Sequence, residues 1–560
     1  MQSIKFTSAY MRLLLVLLLS VSVNDLSAKK INGTNLLKNN NLVGLITDSS
    51  TGKGIPGVPV TDGYSFTLTD KNGVYQMSAS DSCRLVYYTL PENYEVNVDP
   101  QSGLPSFYFP VQISGDKVCR TDFMLTPLKR AERNVTLLMI GDPQCKTDED
   151  VKRFKEETVT DIKLELSRKS MAGSGRVYAF TLGDITFDNV LKWPDMRKSM
   201  STLASSELAV FNTIGNHDHD AAMDNDYDAV HNFIKNFGPT DYSLNRGNVH
   251  IVVMDDIICT GRNRPGTWDY KGGFTDQQVK WLEDDLNNVA DKAEKEVVLC
   301  VHIPFRRDEG GNQKKVLELL SQFKNAHIMA GHTHYPQNYI HVDYAGRSGL
   351  PVYEHVHGAA CGAWWTCNSN TDGSPNGYSV YEFNESGLNN WYAKSTGRPS
   401  DYQMRVWNGN DTYGETYTYT WTEGGTGGKA NIKVDGNKDF ADCFVVQVWN
   451  DDGPESGAGN SDIESNWKLE LITADGKAYP LTRVTANTAM IPAIAFLFND
   501  LKRNTTTYTK KLRHIWYVKA PSGNPADEKG WTIRATQTIP YSGVTNVYEC
   551  SEFQTDSSCF

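Results

Sequence analysis

The chain has 560 residues, more than one hydrophobic core can serve, and at about 100 to 200 residues per domain it reads as three units. Lys plus Arg number 55 against 67 Asp plus Glu, a net charge of -12 that repels phosphate backbones and anionic lipid and argues against nucleic acid as a partner. Hydrophobic content of 39% and charged content of 22% are those of a globular protein.

The first 30 residues read "MQSIKFTSAYMRLLLVLLLSVSVNDLSAKK". Lys5 and Arg12 precede an apolar core from Leu13 to Val23, and Ala28 offers a small residue for cleavage, the composition of a secretory signal peptide over residues 1–28. The apolar run is about half the roughly 20 residues that span a bilayer, no later stretch is long enough for a membrane helix, and no Cys stands at the cleavage point to mark a lipoprotein. An exported protein, periplasmic or extracellular, is expected. Its ten cysteines then make disulfides plausible: Cys83 with Cys119, the only two in their region, followed by Cys361 with Cys367 and Cys550 with Cys559. No CxxC zinc pattern occurs.

Residues 41 to 127 carry short alternating apolar runs parted by Gly, Pro, Asp and Asn turns, "NLVGLITDSSTGKGIPGVPVTDGYSFTLTDKNGVYQM", the pattern of a small antiparallel β-sandwich. The order of its elements resembles transthyretin-like or carboxypeptidase-regulatory-like domains, here placed at residues 29–130. From Arg133 onward apolar β-rich runs ("NVTLLMIGD", "VYAFTLGD", "LAVFNTIGNHD", "VHIVVMDD", "EVVLCVHIPF", "AHIMAGHTH") alternate with helical periodicity in "DVKRFKEETVTDIKLELSRK" and "TDQQVKWLEDDLNNVADKAEKE". Strand and helix alternation implies a layered α/β domain, 131–395. Beyond it "ETYTYTWTEG", "FVVQVWN", "WKLELITADG", "LRHIWYVKA" and "WTIRATQTI" predict an all-β domain over 396–560.

Five apolar runs of the α/β domain end in oxygen or imidazole side chains: Asp142 and Gln144 in "GDPQ", Asp184 in "GDITFD", Asn216 and His217 in "GNHD", His302 in "VHIPF", His332 and His334 in "GHTH". Singly, each has a bland explanation, since Asp or Asn beside Gly is usually a turn. Together, at strand tips where open α/β sheets place their ligands, they point to divalent transition metal.

This set resembles the calcineurin-like metallophosphoesterases, with their ordered D-x-H, GD, GNH[DE], H and GHxH motifs, over residues 134 to 390; the flanking β domains are similar to those of exported three-domain bacterial members. The resemblance implies a four-layer α/β/β/α sandwich and two divalent metal ions, Mn, Fe or Zn. It makes Asp184 the carboxylate bridging both, with Asp142, Gln144 and His334 completing one site and Asn216, His302 and His332 the other. His217 corresponds to the non-ligand histidine that stabilises or protonates the leaving oxygen, and Asp218 is expected to orient it; His219 and Asp220 read as solvated turn residues. Gln144 departs from the family's usual His, and its amide oxygen is a poorer donor than imidazole.

The implied reaction is hydrolysis of a small organic phosphate, a phosphodiester favoured over a monoester, by attack of a metal-bridging hydroxide. On the substrate side Arg306 and Arg307 could fork onto a phosphate, and Tyr335, His357, Trp364 and Trp365 lie near the motifs; the two Trp either stack on a sugar or nucleobase or pack against the C-terminal domain. The linked group is open between a sugar and a nucleotide. Two rivals stand: a phosphomonoesterase, protein phosphatases included, and a glycan- or surface-binding protein with a vestigial metal site.

Overall fold

The computed structural model describes residues 21–22, 30–99, 102–114, 117–167, 176–203, 208–264, 267–305, 311–342, 350–365, 368–370, 372–411, 416–423, 426–433, 440–451, 466–484 and 514–554. Contacts divide the chain into two compact units: Met1–Asn97 with Ser106–Ala131 and Lys280–Ala290, and Val98–Pro105 with Glu132–Val279 and Asp291–Phe560.

The first unit contains two sheets. One joins the strands Val21–Ser22, Cys119–Arg120, Leu42–Asp48 and Phe123–Leu125, with Val74–Met77 also paired to Leu42–Asp48; the other runs Phe66–Leu68, Pro59–Thr61, Leu85–Tyr88, Tyr108–Pro110. Tyr88 of the second sheet meets Phe123 of the first edge-on, ring centroids 4.9 Å apart, so the sheets pack face to face as the alternating pattern requires. Within the same unit Trp281 donates from Nε1 to Thr61 Oγ1 at 3.2 Å. The expected Cys83–Cys119 disulfide is not formed. Both are free thiols, and Cys83 Sγ lies against its own strand's Leu85 carbonyl at 3.2 Å; burial pushes this thiol up to about 12. Cys367 and Cys559, the expected partners of Cys361 and Cys550, lie outside the described residues.

The second unit holds two sheets of mixed direction. Leu208–Thr213, Arg176–Leu182 and Val135–Ile140 run parallel and are extended by the antiparallel Gly377–Asn384 and Gly387–Ser395. In the other, Val249–Val253, Glu296–Cys300, Asn325–Ala330 and Val352–Val356 run parallel between the antiparallel edges Tyr242–Arg246 and Gln337–His341. Parallel strands buried on both faces need apolar residues throughout rather than alternation, and "VTLLMI", "LAVFNT" and "EVVLC" are buried at every position.

Helices cover both sheets. Phe154, Ile162, Trp193, Met196, Phe233 and Phe237 pack with Leu138, Ile140, Val177 and Val210 of the first sheet in one core. Phe323, just past the helix Gln313–Leu320, stacks on His250 of the second sheet at 6.1 Å. The expected helix over "DVKRFKEETVTDIKLELSRK" is three pieces, Asp148–Phe154, a π-helical turn Lys155–Val159 and Thr160–Ser167. The second expected helix stops at Asn287: the side chain of Asn288 turns back onto the Asp284 carbonyl at 3.0 Å and Asp291 adopts φ 55, which competes with a further helical turn.

The C-terminal strands belong to this second unit. Met404–Asn408, Cys443–Val448, Ile515–Lys519 and Thr482–Arg483 form one sheet; Ala478–Pro480, Trp467–Ile472, Thr532–Thr538 and Thr545–Cys550 form another. They share a core of Val406, Phe444, Val446, Trp467, Leu469, Trp531 and Ile533. Thr416–Glu423 and Thr426–Lys433 pair as a hairpin. Among the described residues no helix is long and apolar enough to cross a membrane.

Candidate metal centre

The parallel strands of both sheets deliver their C-terminal tips to one place. Ile140, Leu182 and Thr213 end the first sheet's strands just before Asp142, Asp184 and Asn216; Cys300 and Ala330 end the second sheet's just before His302, His332 and His334. The chain must then turn sharply, and it does so at a cost of about 1 to 3 kcal/mol per residue in left-handed backbone: Asp142, Gln144, Asp184, His332 and His334 have φ of 39, 40, 49, 69 and 56. Glycine precedes Asp142, Asp184, Asn216 and His332 because nothing larger fits. A Cβ on Gly183 would lie 2.4 Å from His302 Nδ1, and one on Gly215 would lie 2.1 Å from the Asp184 nitrogen.

All seven expected ligand residues converge. Asp184, His302 and His332 present ligand atoms within 4.8 Å of one another, and so do Asp142, Asp184 and His334; Asp184 is common to both sets. Asn216 Oδ1 stands 3.0 Å from His302 Nε2 and 3.0 Å from His332 Nδ1. Gln144 Nε2 donates to Asp184 Oδ2 at 3.0 Å. Asp142 accepts the His332 backbone N–H at 3.0 Å and lies 3.5 Å from His334 Nε2.

The residues suit divalent metal. His302 Nδ1 is committed to the Leu182 carbonyl at 2.8 Å, the tautomer-fixing contact usual for a metal-bound imidazole. Its Nε2 meets Asn216 Oδ1 at 3.0 Å, His332 Nδ1 at 3.2 Å and Asp184 Oδ1 at 3.3 Å, a convergence of donor atoms that a cation would satisfy. The Oε1 of Gln144 is buried without a hydrogen-bond partner, an expensive state for an amide oxygen that ligation would relieve. Without metal the buried groups hold one another's charges, and a metal would have to displace protons from them. Burial disfavours charge on His302, yet the Asp184 carboxylate overrides it and raises its pKa to about 10; burial would raise Asp184, but His302 holds it well below the ordinary carboxylate range. Burial lifts Asp142 to about 8 and lowers His334 to about 4.

His217 is not among the ligand atoms. Its backbone N–H donates to Asp184 Oδ1 at 2.9 Å, and its ring stacks on Phe187 with centroids 4.4 Å apart. Its partner corrects the expectation: Nδ1 lies 2.8 Å from Asp188 Oδ1. Asp218 instead turns inward and accepts the backbone N–H groups of Ile185, Thr186 and Gly215 at 3.0, 3.2 and 3.0 Å, because three buried donors leave its carboxylate no freedom to reach the neighbouring ring. Burial opposes charge on His217, but the Asp188 hydrogen bond and the Asp184 charge outweigh it and raise its pKa. Asp188 was legible as the last residue of "GDITFD". Asp256, which accepts the His302 backbone N–H at 3.0 Å, was equally present at the tip of "VHIVVMDD".

Other expectations are revised. His219 is buried, not solvated: Nδ1 meets the Gly215 carbonyl at 2.9 Å and Nε2 meets Asp255 at 3.1 Å, and that carboxylate overcomes burial to raise the ring to about 9. Asp220 is the turn residue expected, accepting Ala222 N–H at 2.9 Å. His357 cannot serve a substrate, since both ring nitrogens are used inside the protein, by the Ala330 carbonyl and the Tyr381 hydroxyl, each at 2.9 Å. Trp365 is core: it packs with Phe154, and its Nε1 donates to the Pro143 carbonyl at 2.8 Å. Trp364 is half-buried, its ring 4.7 Å from that of His334. Tyr335 is half-buried in the same loop as His334. Arg306 and Arg307 lie outside the described residues.

Three family models match the chain, described as N terminal of calcineurin-like phosphoesterase over residues 40–128, calcineurin-like phosphoesterase over 135–336, and C terminal of calcineurin-like phosphoesterase over 354–540. No curated protein matches. Among solved structures, the chain is similar to the 5'-nucleotidase precursor from Thermus thermophilus, at 13% identity and a TM-score of 0.28, over 47% of this chain and 55% of that one. The chain thus spans little more than half the length of that relative. With the central model lying on the strands that carry Asp142 through His334 and the other two on the β-rich regions to either side, the chain belongs to the calcineurin-like phosphoesterase family.

Proposed function

We propose that the protein is an exported, dinuclear metal-dependent phosphodiesterase acting on a small organic phosphate. The observation that carries this reading is the pair of ligand sets sharing Asp184, with the buried, unpartnered Gln144 Oε1 beside it. Asp142, Gln144, Asp184 and His334 would hold one ion, and Asp184, Asn216, His302 and His332 the other. When bound there, two divalent ions of Mn, Fe or Zn would supply charge neutralisation at the phosphate oxygens and acidify a water.

The chain's own residues do the rest. Asp184 turns Oδ1 toward His302 Nε2 at 3.3 Å and Oδ2 toward Gln144 Nε2 at 3.0 Å, so the one carboxylate would serve both sets. His217 lies beside them with its side chain 25% exposed, held by Asp188 and Phe187; from there it delivers a proton to the leaving oxygen, with the raised pKa that keeps a proton available. Trp364, half-buried against His334, offers an aromatic surface to an organic group. A diester has two such groups, one to leave past His217 and one to rest on Trp364, which favours it over a monoester.

Export rests on the charged, apolar and small-residue order of residues 1–28 and is tested by the N-terminal sequence of the protein recovered outside the cytoplasm. The phosphodiesterase reading is tested with metal-replete protein on bis-p-nitrophenyl phosphate and p-nitrophenyl phosphate, alongside metal analysis. Faster turnover of the diester with two equivalents of metal supports it. A monoester preference assigns the site to a phosphomonoesterase, and no hydrolysis across a broad ester panel sinks the reading altogether.

A further inference from the structure

Two lines of buried hydrogen bonds run from the C-terminal strands to the metal centre. The first begins at His514, 5% exposed and held at φ 64, a left-handed backbone that a non-glycine residue keeps only when its surroundings over-determine it. Its Nε2 lies 2.9 Å from the Pro336 carbonyl, and Pro336 stands two residues past His334. Its Nδ1 is hydrogen-bonded to Asp451. Asp451 is itself fixed by Arg483, Nε to Oδ2 at 2.7 Å and Nη2 to Oδ1 at 3.1 Å, and by Trp516 Nε1 at 2.8 Å. Burial alone would raise this carboxyl, but Arg483 and His514 hold it well below the ordinary range.

The second line starts from Arg405 and Gln447, whose side chains donate to the Gly373 and Asp372 carbonyls at 2.9 and 3.0 Å. That loop continues to Asn376, whose Nδ2 donates to the Ala360 carbonyl at 3.1 Å. Ala360 donates in turn to the Gly141 carbonyl at 2.7 Å, next to Asp142. Both lines thus end beside Asp142 and His334. The loops bearing Asn216 and His302 are braced differently, by Asp218 and Asp256 of the α/β region, through the Gly215 and His302 backbone N–H groups at 3.0 and 3.0 Å.

We propose that the C-terminal domain is a working part of the metal centre: His514, oriented by Asp451, is a positioning residue that fixes the His334 loop through the Pro336 carbonyl and so sets how tightly the Asp142, Gln144 and His334 set holds its metal. The inference rests on the dinuclear reading above. An outer partner of a metal ligand typically changes affinity about 10- to 100-fold, and His514 acts one bond network further out, so the low end applies.

The test is stepwise removal of Mn²⁺ from the full-length, loaded protein by chelator, followed as bound metal rather than activity. His514→Leu should release the first equivalent at about tenfold lower chelator and shift the second step less, since of the other set only His332 lies on the same loop. His514→Gln, which keeps an N–H donor for Pro336, should recover most of the shift. Tyr548→Leu, in the core of the same β domain, should lower thermal stability without moving either step. Should His514→Leu fail to fold, Asp451→Asn carries the test, with a smaller shift in the same step. A first step in these variants that coincides with wild type, or one that Tyr548→Leu moves as far, overturns the positioning role while leaving the dinuclear reading intact. Wild-type protein that releases metal in one step with one equivalent overturns both.

Discussion

Asp188 takes the role that sequence proximity suggests for Asp218, and the alanine variants of the two should fail in opposite ways. Asp218 is 1% exposed and accepts three backbone N–H groups, of Ile185, Thr186 and Gly215. Each buried donor left unsatisfied costs about 1 to 3 kcal/mol, so Asp218→Ala should lose about 3 kcal/mol or more, enough to lower the melting temperature by several degrees. Asp188 has a side chain 60% exposed, where an ion pair contributes only about 0.2 to 1 kcal/mol; the Phe187 stack keeps the His217 ring in place without it. Asp188→Ala should therefore melt like wild type and lose about 2- to 5-fold in turnover, whereas His217→Ala should lose about 10² to 10⁴-fold. The loss should be larger for alkyl esters, which need a proton on the leaving oxygen, than for p-nitrophenyl esters, which do not. The double variant Asp188→Ala/His217→Ala should be no slower than His217→Ala, since Asp188 acts only through the ring. The measurements are thermal melts and turnover on both ester classes. The reasoning is refuted if Asp218→Ala melts with wild type, or if Asp188→Ala slows the double variant further.

Asp184→Asn should lower the occupancy of both metals and the rate together, because Asp184 is common to both ligand sets; metal analysis showing two equivalents with near-normal turnover would remove it from the shared position. Gln144→His should raise the chelator concentration needed to release the first metal, imidazole being the better donor, and coincident release curves would mean that Gln144 is not a ligand. In metal-free protein the contribution of His357 should be lost below about pH 6.5, read as the difference between wild type and His357→Gln. Burial lowers His357 to about 4 from the ordinary 6.5, so between those values the unfolded chain binds the extra proton and stability falls as pH falls, by about 1.4 kcal/mol per pH unit. Denaturant midpoints at pH 7 and 5 check this: from pH 7 to 5 wild type should change less favourably than His357→Gln, and equal changes would refute it.

The sequence alone determined where the ligand side chains come from. Buried parallel strands demand unbroken apolar runs, so "VTLLMI", "LAVFNT" and "EVVLC" announce themselves, and the first polar residues beyond them lie at strand tips whatever the helices between do. The same local logic marked the flanking β regions, whose turns and alternation are set by neighbours in the chain. Partner choice was decided only by the tertiary structure, because it depends on side chains brought together from distant segments. His217 has Asp218 beside it in sequence, but the backbone turn sends that carboxylate toward Ile185 and Thr186 and leaves the ring to Asp188, 29 residues away. His219 looked solvated until Asp255 closed over it, and His357 and Trp365 looked available until Tyr381 and Pro143 occupied their polar atoms. Nor does any periodicity connect His514 to Pro336, 178 residues apart; a contact of that span is set by how the sheets pack, and sequence pattern reports only what each strand buries, not which loop it comes to hold.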